Sequence, residues 1–393
     1  MGIIEQVTIV GGGMITHDQI LPSLLQLQRA GVVREIAVCA RHGRTLRELA
    51  EDEAILRAFP GAQWRPFPDL SEDPNNARPA LYRDVIAAMP PRNVVIIALP
   101  DQAHFEAVMA ALEADQHVVC VKPLVLTAGH AEKIEAEARR RELFVGVEYH
   151  KRFDDRSLMA RQRYRAGAFG EFRLGTAVLM EKWYYRHSRF QDWFTIENTD
   201  AFTYIGCHYV DLVAFITGLE PARVSVYGIR DRLPNGREGW LWTDARVIWS
   251  NGACLNVQNS LSFPDAAPGS NTQGMTLYCS GADRGGLLRH SDQYRGLEYV
   301  SIEPPSYAEP SPDYFQYVHL GGEGLTPVGY GYRSIEALIR ACMRVDAARD
   351  RKAELRAIDA EGVLATPANS RYNERVIEAA RKSIMNGGAE AAV

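Results

Sequence analysis

Short runs of β-branched residues alternate with helical patterns over the first 150 residues, and this rhythm constrains the fold more than any other feature. The runs fall at residues 7–10, 35–39, 93–98, 117–121 and 143–147. Strands covered on both faces need near-continuous apolar residues, so the pattern predicts a doubly wound parallel sheet. Phe105, Val108, Met109 and Leu112 line one face of a helix over 104–114. A second, strongly charged helix is predicted over 127–141, opened by a capping Thr127. Residues 60–79, with four prolines after Pro60, read as an irregular excursion before a helix over 81–89.

After residue 170 the rhythm changes. Longer β-rich runs occur at 171–180, 223–229, 245–249, 253–260, 275–280 and 299–302, and Asn235-Gly236 and Asn251-Gly252 are turn pairs that favour antiparallel hairpins. One helix over 201–217 interrupts them. A proline-rich stretch over 304–312 reads as a connector, helices return over 334–349 and 371–385, and the tail 386–393 is expected to be disordered. A chain of 393 residues is too long for one ordinary core, and 46% hydrophobic residues are enough for two.

The net charge of −5 offers no broad basic surface, which argues against nucleic acid or anionic lipid as partner and for a small molecule. Six scattered cysteines without a Cys-x-x-Cys pair read as buried thiols in a reducing cytosol. No leader or membrane-spanning run is legible, so the expected location is cytoplasmic. The histidines and cysteines show no metal-ligand spacing, and neither a nucleophile elbow nor a P-loop is present.

Gly11, Gly12 and Gly13 follow an apolar strand and precede a helix, the setting in which a glycine turn lets backbone approach a pyrophosphate. Thr16 stands where a last glycine would allow close helix-to-strand packing, and is expected to loosen it. The second strand ends without the carboxylate that binds free ribose hydroxyls. Arg41, His42 and Arg44 stand there instead, which favours NADP over NAD if the arginines meet a 2′-phosphate rather than water. Lys122 should emerge at the carboxyl end of the fifth strand, where ligands of open α/β sheets bind, and it is either a proton-transfer group or a lysine snorkelling to water. His208, with Asp211 one turn on, is either a satisfied core histidine or a second acid–base group. Trp183, Tyr184, Tyr185, Arg186, His187, Trp193 and Phe194 suit either stacking on a polyhydroxylated ring or a core.

Five segments together resemble the glucose-fructose oxidoreductase and inositol dehydrogenase (Gfo/Idh/MocA) family over roughly residues 5–350. They are Val10 to Thr16, Ala98 to His104, Val121-Lys122-Pro123, Gly206 to Asp211, and Gly146 to Phe153. The resemblance implies an α/β chain with an N-terminal Rossmann doubly wound parallel sheet over 1–150. A C-terminal α/β domain over 151–350 would then bind substrate and carry a large, mostly antiparallel, open-faced sheet that forms homodimers or homotetramers. A helical segment and tail would fill 351–393.

The family interconverts a secondary alcohol and a ketone on sugars, glycosides and cyclitols with NADP or NAD. Carried over by position, Lys122 is the catalytic lysine and His208 the catalytic or substrate-binding histidine. Gly11, Gly13, Met14, Ile15, Arg41, His42, Leu99, Pro100, His104 and Lys122 would bind cofactor. Tyr149, Arg152, Trp183, Tyr185, Tyr204 and Asp211 would bind substrate, and Pro123 would follow a cis bond. Two further departures stand beside Thr16: Val121 replaces a usual Glu before Lys-Pro, and Tyr204 replaces an Asp common in cyclitol dehydrogenases. A cofactor-retaining glycosidase and a non-catalytic redox sensor are the alternative readings.

Overall fold

The computed structural model describes residues 2–267, 269, 271–281, 284–291 and 313–393, together with the backbone of 299–300 and 307–308. The expected connector at 304–312 lies outside these residues apart from that short backbone stretch, as do 301–302 of the run expected over 299–302. The chain divides into two units, the first comprising Met1–Val125, Gly129–His150 and Tyr314–Asn369, the second Leu126–Ala128, Lys151–Asp313 and Ser370–Val393.

In the first unit six strands form one parallel sheet: β1 (Ile4–Val10), β2 (Val33–Cys39), β3 (Arg65–Phe67), β4 (Val94–Ile97), β5 (His117–Val121) and β6 (Val145–Glu148). Their order is β3-β2-β1-β4-β5-β6, the dinucleotide-binding arrangement. Val7, Ile9, Val94, Val95, Ile96, Ile97 and Val118 are wholly buried, as strands covered on both faces require. The excursion at 60–79 contains β3, a three-residue edge strand too short to show a periodic signal.

Residues 314–369 belong to this unit, whereas the sequence placed them partly in the second domain and partly in a C-terminal segment. The physical reason is the helix Tyr330–Ala347, which buries Ile335, Leu338, Ile339, Cys342 and Val345. Gly146 makes room for it: a Cβ there would come within 2.4 Å of Leu338 Cδ2. Helical periodicity announces an apolar face but not which sheet that face will cover.

The second unit is built on a seven-stranded sheet of β7 (Glu171–Lys182), β8 (Pro221–Arg232), β9 (Glu238–Trp249), β10 (Cys254–Phe263), β11 (Asn271–Ser280), β12 (Gly286–His290) and β17 (Ala391–Ala392). The order is β12-β11-β7-β10-β9-β8-β17, antiparallel except where β7 pairs with β10. Among the described residues two small ladders complete the strand list: β13 (Tyr299–Val300) with β14 (Tyr307–Ala308), and β15 (Gln316–Val318) with β16 (Thr326–Val328), the latter in the first unit.

One face of the large sheet is covered and the other open, which shows as alternation along β9: Leu241, Thr243, Ala245, Val247 and Trp249 are buried while Asp244 and Arg246 are exposed. The turns at Asn235-Gly236 and Asn251-Gly252 join β8 to β9 and β9 to β10, with both glycines at positive φ. The tail expected to be disordered is ordered. β17 pairs with β8, Ser225 Oγ donates to the Gly388 carbonyl and Arg223 pairs with Glu390. An alanine-rich edge strand is held by backbone hydrogen bonds, which leave no side-chain pattern to read.

Candidate active site

The glycine turn follows β1 directly. Gly11 has φ 121°, and a Cβ there would fall 2.0 Å from the Ala98 carbonyl oxygen, so only glycine fits between the ends of β1 and β4. A Cβ at Gly12 would crowd Thr45 Oγ1 at 3.1 Å, whereas one at Gly13 would meet nothing within 4 Å. The turn thus presents open backbone at Gly13, flanked by the half-buried Met14 and Ile15.

Thr16 does not loosen the packing. It is fully buried, and its Oγ1 donates to the Gly11 carbonyl at 2.7 Å, so the side chain in the glycine position ties the helix back to the turn. The helix opens with a π-helical turn at Thr16–Ile20, a form that recurs at functional sites.

At the end of β2, Arg41 and Arg44 are exposed; Arg44 Nη2 donates to Asn75 Oδ1 at 2.9 Å. Arg47 and Arg78 are committed to protein partners: Arg47 to the carbonyls of Leu70 and Glu72, Arg78 to the Glu72 carboxylate. His42 Nδ1 is buried without a hydrogen-bond partner. Open backbone at Gly13, exposed arginines and an unsatisfied imidazole nitrogen suit the pyrophosphate and ribose of a dinucleotide.

Leu99 and Pro100 are half-buried at the end of β4. His104, expected to touch cofactor, is instead completely buried and clamps two strand ends. Its Nε2 faces the Leu99 carbonyl at 2.8 Å and its Nδ1 the Pro123 carbonyl at 2.8 Å. Both nitrogens face backbone carbonyls, and the one that carries the proton donates to its neighbour, so the ring braces the loops around it. Lys122 is half-buried, directly after β5, and the Lys122-Pro123 bond is cis as the resemblance implied.

The end of the neighbouring strand β6 carries a buried polar group that the sequence reading missed. Val121 pairs with Glu148 across the β5–β6 ladder, and Glu148 is almost wholly buried. Its Oε1 accepts from Gln19 Nε2 at 2.8 Å and from Ser334 Oγ at 2.6 Å, while Oε2 lies 3.1 Å from His150 Nδ1. Gln19 in turn accepts from the Tyr314 hydroxyl at 2.6 Å. An acid ending the apolar run Val145-Gly146-Val147 was the available signal, because a charge at that position must be paired.

In the second unit, His208 lies on the helix Cys207–Thr217, which continues from a π-helical turn at Phe202–Gly206; the whole corresponds to the single helix expected over 201–217. Asp200 caps that turn, accepting from Thr203 N at 2.8 Å and Thr203 Oγ1 at 2.9 Å. Gly206 rests against the sheet, where a Cβ would come 2.5 Å from Asn259 Oδ1. His208 is therefore carried on the covered face of the sheet, buried to 7% exposure.

Asp211 and Arg152, both expected to hold substrate, hold each other. Asp211 Oδ2 accepts from Arg152 Nε at 2.7 Å, and Oδ1 accepts from Arg152 Nη2, from the Tyr372 hydroxyl at 3.1 Å and from Asn373 Nδ2 at 2.9 Å. Burial, reinforced by the Asp211 carboxylate, holds the Tyr372 hydroxyl well above the usual phenol range. These groups anchor the His208 helix to the C-terminal helix Tyr372–Met385. Tyr149 is likewise buried, at 2% exposure.

The aromatic segment divides around the sheet. Tyr204 gathers Phe190 and Trp193, with ring centroids 4.9 and 5.6 Å away. Phe194 packs against Gly239 on the covered face. Trp183 instead stacks on the Arg186 guanidinium at 3.9 Å, which also faces the Trp242 ring and pairs with Asp231. Trp242 alternates with the inward Leu241 and Thr243, so Trp183 lies on the open face, away from His208. Tyr185, half-buried, packs against Tyr184. Among the described residues no three metal-ligating side chains cluster, and no helix is long and apolar enough to cross a membrane.

A model of the GFO_IDH_MocA oxidoreductase family, with NAD-binding Rossmann fold, matches residues 6–149, and one of the GFO/IDH/MocA C-terminal domain matches residues 157–282. Inositol 2-dehydrogenase 1 of Saccharopolyspora erythraea is 27% identical over 57% of this chain and 58% of its own length, so the chain covers less than two thirds of that relative. Among solved structures, GenD2 from gentamicin A biosynthesis in complex with NAD superposes with a TM-score of 0.68 at 17% identity, over 100% of this chain and 97% of that one. Scyllo-inositol dehydrogenase of Lactobacillus casei, with bound NAD(H) and scyllo-inositol, superposes at 0.66 and 15% identity, over 100% and 99% of the two chains. At these identities the likeness is one of fold.

Proposed function

Because the chain belongs to the GFO/IDH/MocA family of oxidoreductases, we propose that it interconverts a secondary alcohol and a ketone on a sugar, glycoside or cyclitol. The observation that carries this reading is Lys122 at the carboxyl end of β5, in the same sheet whose β1 end bears the open glycine turn. In such sheets ligands bind at that edge. A bound nicotinamide supplies the hydride acceptor or donor at its C4.

The residues divide the remaining tasks. Gly11 to Gly13 and the helix start behind them hold the pyrophosphate, and Leu99 and Pro100 wall the strand end. Lys122 takes the hydroxyl proton during oxidation and returns it during reduction, and His208 is the second proton-handling group. Tyr204 and Trp193 offer aromatic surface to a sugar ring. Exposed Arg41 and Arg44, at a strand end whose sequence carries no carboxylate, favour NADP over NAD through a 2′-phosphate.

Self-association through the open sheet face fits the same reading. Leu287, Tyr278 and Leu174 lie in register across β12, β11 and β7, each more than half exposed. The activity is tested by following nicotinamide absorbance with purified protein, NADP or NAD, and a panel of inositols, aldoses and methyl glycosides. Reduction of either cofactor is expected, and cofactor that binds but stays oxidised across the panel contradicts the proposal.

A further inference from the structure

The π-helical turn at Thr16–Ile20 lies immediately behind the glycine turn, and a side chain grips it near each end. Thr16 ties its start to the Gly11 carbonyl. Near its end Gln19 is wholly buried, and its amide reaches three other parts of the first unit. Nε2 donates to Glu148 Oε1 on β6 at 2.8 Å and to the Gly331 carbonyl, in the first turn of the helix Tyr330–Ala347, at 3.0 Å. Oε1 accepts from the Tyr314 hydroxyl at 2.6 Å. The reverse orientation of the amide would set its oxygen against a carboxylate and a carbonyl, so these partners allow only one.

A π turn closes over one residue more than an α turn and is rare. If this turn relaxed to the α form, one residue would leave it, and the side chains on one side of the change would swing by about 100°. Gln19 opposes that swing, because its three partners are fixed on other segments and each would lose a buried hydrogen bond. Glu148 makes the grip firm. It is almost wholly buried; Oε1 also accepts from Ser334 Oγ at 2.6 Å, and Oε2 lies 3.1 Å from His150 Nδ1. Three groups thus fix the carboxylate, and an ionised acceptor makes the stronger hydrogen bond to the Gln19 amide.

Resting on the dinucleotide-binding reading above, we propose that Gln19 and Glu148 are positioning residues for the pyrophosphate of the cofactor. Gln19 is buried too deeply to touch a ligand. Its link to Glu148 holds the π turn in register, and through Thr16 and Gly11 it holds the open backbone at Gly13 in the geometry that receives the pyrophosphate. The adenosine end is met by Arg41 and Arg44 after β2, a different segment that does not depend on this link.

The test measures affinities of the full chain by calorimetry. The ligands are NADP or NAD, then ADP, which carries a pyrophosphate, and adenosine or adenosine 2′-phosphate, whichever wild type binds, which lack it. Wild type is compared with Gln19→Glu, with Gln19→Glu combined with Glu148→Gln, and with Tyr314→Phe. Gln19→Glu keeps the acceptor for Tyr314 but sets a second carboxylate against Glu148. It is expected to lose about tenfold or more in affinity for the dinucleotide and for ADP, while the ligand without pyrophosphate stays within about twofold. The double variant restores a donor–acceptor pair with its polarity reversed and should recover most of the loss. Tyr314→Phe removes one bond from the same amide and should show the same selectivity at about two- to threefold. It decides the matter if Gln19→Glu does not fold.

Wild-type affinity of Gln19→Glu for ADP and dinucleotide overturns the inference and leaves the dinucleotide reading standing. Equal losses for all ligands, or no recovery in the double variant, assign the pair a role in folding alone and also overturn it. A wild type that binds neither dinucleotide removes the dinucleotide reading and this inference with it.

Discussion

Thr16 donates its hydroxyl to the carbonyl of Gly11 at 2.7 Å, closing the glycine turn with a side chain where a smaller residue was expected. The bond is fully buried, so removing the donor leaves a carbonyl without a partner. Thr16→Val, which keeps the shape, should cost about 1–3 kcal/mol. It should also weaken dinucleotide binding several-fold. Chemical denaturation and cofactor fluorescence titration on the same protein read the two effects.

Gly11→Ala is the harsher change at the same turn. Its Cβ would overlap the Ala98 oxygen, and positive φ disfavours it independently, so the ends of β1 and β4 must separate. Cofactor affinity should fall at least tenfold while Gly13→Ala, with open space around it, perturbs folding little. Equal thermal stability and affinity for Gly11→Ala and wild type would contradict this geometry.

The Arg152–Asp211 pair has 3% and 2% side-chain exposure, so neither charge has water to turn to if the other is removed. Asp211→Asn should therefore destabilise the second unit by about 3–5 kcal/mol, because a buried guanidinium loses its counter-charge. Arg152→Met with Asp211→Asn should cost less than the two single changes summed. Urea midpoints for the four proteins give the coupling directly.

Asp154 makes a pH prediction. Burial pushes its pKa up, but hydrogen bonds from His290 and Arg156 outweigh that and hold it well below the ordinary carboxylate value. A depressed folded-state pKa contributes stability that is fully present above the unfolded value, near ~4, and is lost as pH falls towards the folded one. Thermal midpoints measured at decreasing pH should therefore decline more steeply for wild type than for Asp154→Asn, which starts lower and lacks this term.

Much of the first unit was legible because its central strands are near-continuous apolar runs. Val94–Ile97 and His117–Val121 appear in the sequence as they do in the sheet. What escaped lies where side chains do not speak for themselves. β17 is held by backbone alone, and the Tyr330–Ala347 helix shows an apolar face without naming the strand it covers. Of the candidate site, the glycine turn, the strand end that carries Lys122 and the helix that carries His208 were legible from local context. The mutual pairing of Arg152 and Asp211 was not legible, because their partners Tyr372 and Asn373 arrive from over 150 residues away. Trp183 and Phe194 were grouped by proximity in sequence, although Trp183 stacks on Arg186 and Phe194 packs against Gly239.

The measurement that bears most directly on the account is kcat for cofactor reduction by wild type and Lys122→Ala, with cofactor affinity determined in the same samples. The account predicts that Lys122→Ala retains fold and binds cofactor but loses at least a hundredfold in kcat, as removal of a proton-transfer group should. Turnover at the wild-type rate by Lys122→Ala would contradict it, because the lysine at the end of β5 would then be a solvated strand-end residue.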